Sequence, residues 1–229
     1  MTIDVFPNDD NDVLRVFVVR HGQTDHNKQK ILQGHLDIDI NQHGQHQAEK
    51  VGEFFSEFKI DEFVSSDLIR CQNTIAEITK RQINANEEDI PVKLTSNLRE
   101  RNMGVVQGMN IQNALEIYGA DYKNMGETKV ELLSRVENEW NHIIKRNESN
   151  KNILICTHGG VITGFFNHLY HSRDYKLNQD LQPHDLKVPF NTSVSVIDIN
   201  KATKEGTIQN FGSTNHLGGH FEVKDQRLR

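Results

Sequence analysis

The sequence predicts an α/β chain in three layers, αβα, with a mostly parallel central sheet and helices on both faces. Three observations carry that expectation: short β-branched runs of strand length, amphipathic segments of helical period between them, and 229 residues with no internal repeat and no Pro/Gly/Ser linker. A chain of this length can bury a full core, so one domain over residues 1–229 is the default. The opening, MTIDVFPNDDNDV, is acidic and polar, and residues 1–13 are expected to form a flexible extension.

Leu14 to Val19 is the first strand-type run. Ala48, Val51, Phe54, Phe55 and Phe58 then recur at helical spacing. Glu62 to Val64 reads as a second strand, and Asp67 is placed to cap a helix running through Ile69, Ile75 and Ile78 to about Arg81. Leu133, Val136, Trp140, Ile143 and Ile144 mark another helix, Ile153 to Cys156 another strand, and Gly159-Gly160 open a helix through Ile162, Phe165, Phe166 and Leu169. Val194 to Ile199 closes the series as a strand. Strands alternating with helices of this length point to a mostly parallel sheet covered on both sides.

Charge narrows the function classes. Twenty-six Lys and Arg against 32 Asp and Glu give a net charge of −6, with no dense basic block to follow a nucleic acid. No apolar run approaches the ~18 residues of a membrane span, and the acidic N-terminus is unlike a secretory signal. A cytoplasmic protein is expected, and nothing in the composition bars the nucleus. Cys71 and Cys156 are too few for a disulfide framework, and Cys156 ends an apolar run as a small buried hydrophobe would. A homodimer stays open, because helix periodicity does not separate a core stripe from an interface stripe.

Ligands of open α/β sheets bind beyond the carboxyl ends of the strands, where helix N-termini also gather. Three strand ends here carry chemistry: FVV runs into Arg20-His21-Gly22, EFVSSD leads to Arg70, and ILICT ends in His158-Gly159-Gly160. If those strands are neighbours, two arginines and two histidines converge. Arginine forks match phosphate and carboxylate geometry and stay charged at any relevant pH. A neutral imidazole is a competent nucleophile toward phosphorus, and arginines with a histidine donor can neutralise the transferring group without magnesium. Among the carboxylates, Glu100 stands out as proton donor because LRERNMG reads as a turn between cations, although 32 acidic residues compete for the role.

In order, these motifs are Arg20-His21-Gly22 followed by Thr24 and Asn27, Gln33-Gly34, SDLIRCQNT around Arg70, Leu98 to Gly104, and Thr157-His158-Gly159-Gly160. The sequence resembles the histidine phosphatase superfamily, the phosphoglycerate mutase-like proteins, from Arg15 onward; Asn191-Thr192-Ser193 and Thr214 to Leu217 look like its closing strand and turn. The resemblance implies that His21 becomes phosphohistidine, that Arg20, Arg70 and His158 hold the phosphoryl oxygens with Asn27 as a neutral donor, and that Glu100 protonates the leaving oxygen and then helps water attack. Gln33, Gly34, Arg101 and Gly159 fall at substrate or phosphate contacts in the same motifs. No metal or other cofactor is implied, and the partner is a small phosphorylated substrate.

Two alternatives to a phosphatase of small metabolites stand beside it: a cofactor-dependent phosphoglycerate mutase, and a non-catalytic binding protein on the same fold. Mutases carry a longer basic insertion after the glutamate motif, whereas here about twenty residues separate Gly108 from Thr128, with Lys123 the sole basic one. The segment Gly126-Glu127-Thr128 is similar to the G-E-S of the phosphatase branch, which favours hydrolysis. Where mutases read E-R-H-Y-G, this chain has Glu100-Arg101-Asn102-Met103-Gly104, without the aromatic ring. The non-catalytic reading is the least favoured, since Arg20, His21, Arg70, Glu100 and His158 are all present. Taken singly, Asn27 is as readily a cap as a phosphate contact, and Glu127 as readily a helix-terminal charge as a functional one.

Overall fold

Seven strands form one sheet in a computed structural model that describes residues 5–82 and 91–224. In chain order they are β1 (Val13–Arg20), β2 (Glu62–Ser66), β3 (Val92–Thr95), β4 (Asn152–Thr157), β5 (Lys176–Leu177), β6 (Val194–Asn200) and β7 (Gly206–Ser213). The spatial order is β3-β2-β4-β1-β6-β7-β5; β3, β2, β4 and β1 run parallel, β6 is antiparallel to both β1 and β7, and β5 is parallel to β7. The helices are α1 (Asp25–Lys28), α2 (Gln42–Phe55), α3 (Ile69–Thr79), α4 (Ile111–Tyr118), α5 (Lys129–Arg146) and α6 (Gly159–Ser172).

Alternation along the strands builds the two faces. Leu14, Val16 and Val18 of β1, with Ile153 and Ile155 of β4, pack in one cluster with Val136, Trp140 and Ile143 of α5 and with Ile162, Phe165 and Phe166 of α6. Phe17 and Val19, with Leu154 and Cys156, pack in the other with Val51 and Phe55 of α2 and Ile75 and Ile78 of α3. The expected three layers are thus present. A third cluster, Leu32, Val106, Ile111, Ala114 and Tyr122, packs apart from the two faces around α4.

Register brings the motifs together. Arg20 pairs with Thr157, and Ser65 with Cys156, so β1, β2 and β4 end level and discharge His21, Asp67 and His158 at one edge. Among the described residues no helix is long and apolar enough to cross a membrane.

One local expectation is corrected. Asp67 does not cap α3: its carboxylate accepts the Arg99 fork at 2.7 and 2.6 Å, and the first helical N–H, that of Ile69, goes to Asp37 Oδ1 at 2.7 Å instead. The helix also ends at Thr79, before Arg81. Of residues 1–13, expected as an extension, residues 1–4 lie outside the described residues, and two of the others contact the body of the fold. Val5 is buried against the α2 side, and Asn8 and Asn152 exchange backbone and side-chain hydrogen bonds at 2.9 and 3.0 Å. Composition hides this, because the partner of Asn8 sits 144 residues away.

Histidines set into the fold should make it acid-sensitive. His216 lies beside Phe54, ring centroids 5.8 Å apart, and burial, helped by the charge of Lys50, lowers its pKa to about 4. The unfolded chain takes up this proton near pH 6.5 and the folded chain only near pH 4, so stability falls as pH drops through that window. The loss is on the order of 3 kcal/mol from this ring alone. His158 and His35, also depressed chiefly by burial, act in the same direction. Chemical denaturation between pH 7 and 4 should show the decline, and His216→Gln should flatten it.

Candidate active site

At the level strand ends lies a cavity of about 560 Å³. Arg20, His21, Arg70 and Glu100 line it, with Gly159 and Gly160 from the start of α6. Each of the four is fixed by a different part of the fold. The backbone N–H of His21 donates to Thr157 O at 3.0 Å, and Asn191 Nδ2 donates to His21 O at 3.0 Å. His21 Nδ1 lies 2.7 Å from Gly22 O. A carbonyl only accepts, so Nδ1 carries a proton, and in the neutral ring Nε2 is then the nitrogen with the free lone pair. Arg20 Nη1 donates to Pro189 O at 2.6 Å.

Arg70, 1% exposed, is built into the wall. Its Nη1 donates to Leu36 O at 2.7 Å, its Nη2 to Gly34 O at 2.8 Å, and its Nε to His158 Nδ1 at 3.2 Å. Gly34 takes φ +50°, and a Cβ there would stand 2.1 Å from Gln107 Oε1, so the loop that meets Arg70 requires glycine. The guanidinium also assigns the second histidine: Nδ1 accepts from Arg70, so Nε2 bears the proton and donates to Ser66 Oγ at 2.8 Å. Burial, then the charge of Arg70 and more weakly that of Arg20, push the His158 pKa well below the usual imidazole range, and the ring is neutral.

Glu100 sits in an irregular segment. Its Oε1 accepts the Arg101 N–H and its Oε2 the Gly160 N–H, both at 2.9 Å. A Cβ on Gly160 would come within 2.3 Å of Oε1. Gly160→Ala should therefore displace the carboxylate and lower kcat about 100-fold, with the unfolding transition little changed; kinetics and thermal melts on one preparation check both.

The remaining candidates divide. Asn27 closes a capping box with Thr24 and also lines the cavity, where the phosphate contact is expected. Its Oδ1 accepts from Thr24 N and Asn191 Nδ2, which leaves its own amide N–H groups for a ligand. Gln33 is buried at the wall, with no hydrogen-bond partner for Oε1 among the described residues. Arg101 lines the cavity while donating to Met125 O and Glu127 O at 2.6 and 3.0 Å. His158 is the exception. It is completely buried behind the wall, 5.2 Å from the His21 ring, with Arg70 and Ser66 on its two nitrogens. A strand-end position fixes where a histidine sits, not which way its ring points.

A family model described as histidine phosphatase superfamily (branch 1) matches residues 16–211, a span that runs from before Arg20 to beyond Asn191-Thr192-Ser193 and stops short of Thr214. This chain belongs to that superfamily. The histidine phosphatase is 40% identical over 232 residues to a broad-specificity phosphatase of Saccharomyces cerevisiae, covering 97% of this chain and 96% of that protein. A probable phosphatase of Schizosaccharomyces pombe is 31% identical over 208 residues (89% and 95%). A solved phosphoglycerate mutase from Bacillus anthracis superposes with a TM-score of 0.73 at 20% identity, covering 91% of this chain and 97% of that one, and shows the shared fold.

Sequence reasoning missed several groups of this histidine phosphatase. Lys30 and Lys129 join Lys123 along the cavity, a cationic set invisible when only the segment 108–128 is inspected. Thr74, four residues beyond Arg70, accepts the Gly22 N–H at 2.9 Å and donates to Arg70 O at 2.6 Å, tying two motifs together. Its signal was present in SDLIRCQNT, as the i+4 neighbour on the same helix face.

Proposed function

We propose that this histidine phosphatase is a metal-independent hydrolase of phosphate monoesters of small metabolites, working through a phosphohistidine on His21 with Glu100 as proton donor. The observation that carries the reading is the 2.7 Å contact of His21 Nδ1 with Gly22 O, which in the neutral ring turns the basic Nε2 toward a cavity shared with Arg20, Arg70 and Glu100.

The steps follow from these groups. Nε2 attacks phosphorus and forms the N–P bond as the P–O ester bond breaks. Arg20 and Arg70 take the charge that builds on the phosphoryl oxygens, and Asn27 adds its amide. The leaving oxygen receives the Glu100 proton. Water then attacks phosphorus, gives its proton to the Glu100 carboxylate, and the N–P bond breaks to free His21 and inorganic phosphate. His158, neutral and bonded to Nε of Arg70, orients the guanidinium without adding a positive charge beside the nucleophile.

Support comes also from the similarity to proteins named as phosphatases in two yeasts. Transfer to a second substrate oxygen is favoured by one feature, the lysines along the cavity, which could retain a doubly phosphorylated intermediate. Phosphate release from sugar phosphates, phosphoglycerates, nucleotides and p-nitrophenyl phosphate in EDTA tests the hydrolytic reading. Release that persists under chelation is the expected result. Silence across the panel, with phosphoglycerate interconversion in the presence of a bisphosphate primer, would replace hydrolysis by the mutase.

A further inference from the structure

Glu100 lies outside any helix or strand, so the position of its backbone is set by whatever satisfies its carbonyls. Four consecutive carbonyls, residues 97 to 100, are each held by a side chain from elsewhere. Arg135 on α5 donates Nη1 to Asn97 O at 2.7 Å and to Arg99 O at 2.8 Å, and Nη2 to Glu100 O at 3.0 Å. Thr157 Oγ1 donates to Leu98 O at 2.7 Å. His35 Nε2 lies 2.8 Å from Glu100 O as a second donor.

The remaining Arg135 donors complete a fork on Glu127, Nε to Oε1 at 2.6 Å and Nη2 to Oε2 at 2.8 Å. A guanidinium has five N–H groups, and here all five are spent, three on the segment that carries Glu100 and two on a carboxylate that holds the guanidinium in plane. Glu127 in turn accepts the Asn102 N–H at 3.1 Å, so it grips the same segment beyond Glu100. Both side chains are largely buried, 18% and 13% exposed. Burial alone would raise the Glu127 pKa, but the hydrogen bonds from Arg135 and Asn102 outweigh it and hold the carboxyl below its ordinary value. The fork is therefore intact at neutral pH.

We propose that Arg135 and Glu127 are positioning residues for proton transfer, a two-sided clamp that sets where the Glu100 carboxyl meets the leaving oxygen. The inference rests on the reading of Glu100 as proton donor. It gives Glu127 a purpose beyond a helix-terminal charge, and it separates Arg135 from Arg146, the other arginine of α5, which pairs with Glu62.

A clamp of this kind matters only when the leaving oxygen needs a proton. The test compares kcat/KM, which covers the steps through departure of the leaving group, for glycerol 2-phosphate and for 2,4-dinitrophenyl phosphate, whose phenolate leaves unaided. The full chain is used as Glu100→Gln, Arg135→Lys, Glu127→Gln and the Glu100→Gln/Arg135→Lys double variant. Arg135→Lys keeps the charge and loses the fork. It should lower kcat/KM for the glycerol ester about 10- to 100-fold, and for the dinitrophenyl ester less than about threefold. Glu127→Gln should show the same selectivity, and it carries the test if Arg135→Lys fails to fold. In the Glu100→Gln background Arg135→Lys should add little, since coupled residues do not add. If Glu100→Gln is selective between the esters but the clamp variants harm both equally, or neither, the inference is wrong. If Glu100→Gln itself is not selective, the proton-donor reading fails and the clamp falls with it.

Discussion

His21→Ala should lower phosphate release on the order of 10⁴- to 10⁶-fold, the scale reached when a covalent nucleophile is deleted. The fold should survive. His21 is held by its backbone, through Thr157 O and Asn191 Nδ2, and neither bond involves the imidazole. A thermal transition within a few degrees of wild type, together with lost turnover, separates loss of chemistry from loss of structure. His21→Asn would not restore the rate, because an amide offers no lone pair that attacks phosphorus.

Arg70→Ala should damage stability as well as activity. The side chain is almost wholly buried, and its removal strands Gly34 O, Leu36 O and His158 Nδ1 in a region where water replaces it poorly. Unfolding free energy should drop by about 3–5 kcal/mol, as expected when several buried polar groups lose one shared partner. Turnover should fall at least about 10²- to 10³-fold, the cost of a single oxyanion donor. Arg70→Lys keeps the charge yet presents one ammonium where three separate acceptors need a fork, so much of the loss should remain. Denaturant titrations read the stability, and phosphate release the rate. A fully active, stable Arg70→Ala would show that neither the loop at Gly34 nor the transferring group depends on it.

Much of this was legible in the chain, for reasons that differ by residue. β1 and β4 announce themselves because a strand covered on both faces has no polar side to confuse the pattern; β4 is buried from Asn152 to Thr157. Arg20 and His21 were legible as a charged pair at a strand end, whereas the choice of Glu100 among 32 acidic residues, and of His21 over His158, rested on the family resemblance; the fold brings Arg20, His21 and Glu100 to one cavity. What could not be read depends on contacts between distant segments. Asp67 has the right residue type and place for a cap, but Arg99, 32 residues on, competes for its carboxylate with two charged hydrogen bonds. Arg135 looks like one more solvated cation on an amphipathic helix, and only the fold sets it against three carbonyls. Lys30 and Lys129 were overlooked for the same reason, since each lies in a different stretch of sequence from Lys123.

The most direct test of the account is a rapid-quench search for the phosphoenzyme, with peptide mass spectrometry under basic conditions that preserve phosphohistidine. A phosphoryl group on the His21 peptide, formed within one turnover and absent from His21→Ala, is the expected result. Full phosphate release by His21→Ala, or a phosphoryl group found on His158 in place of His21, would contradict it.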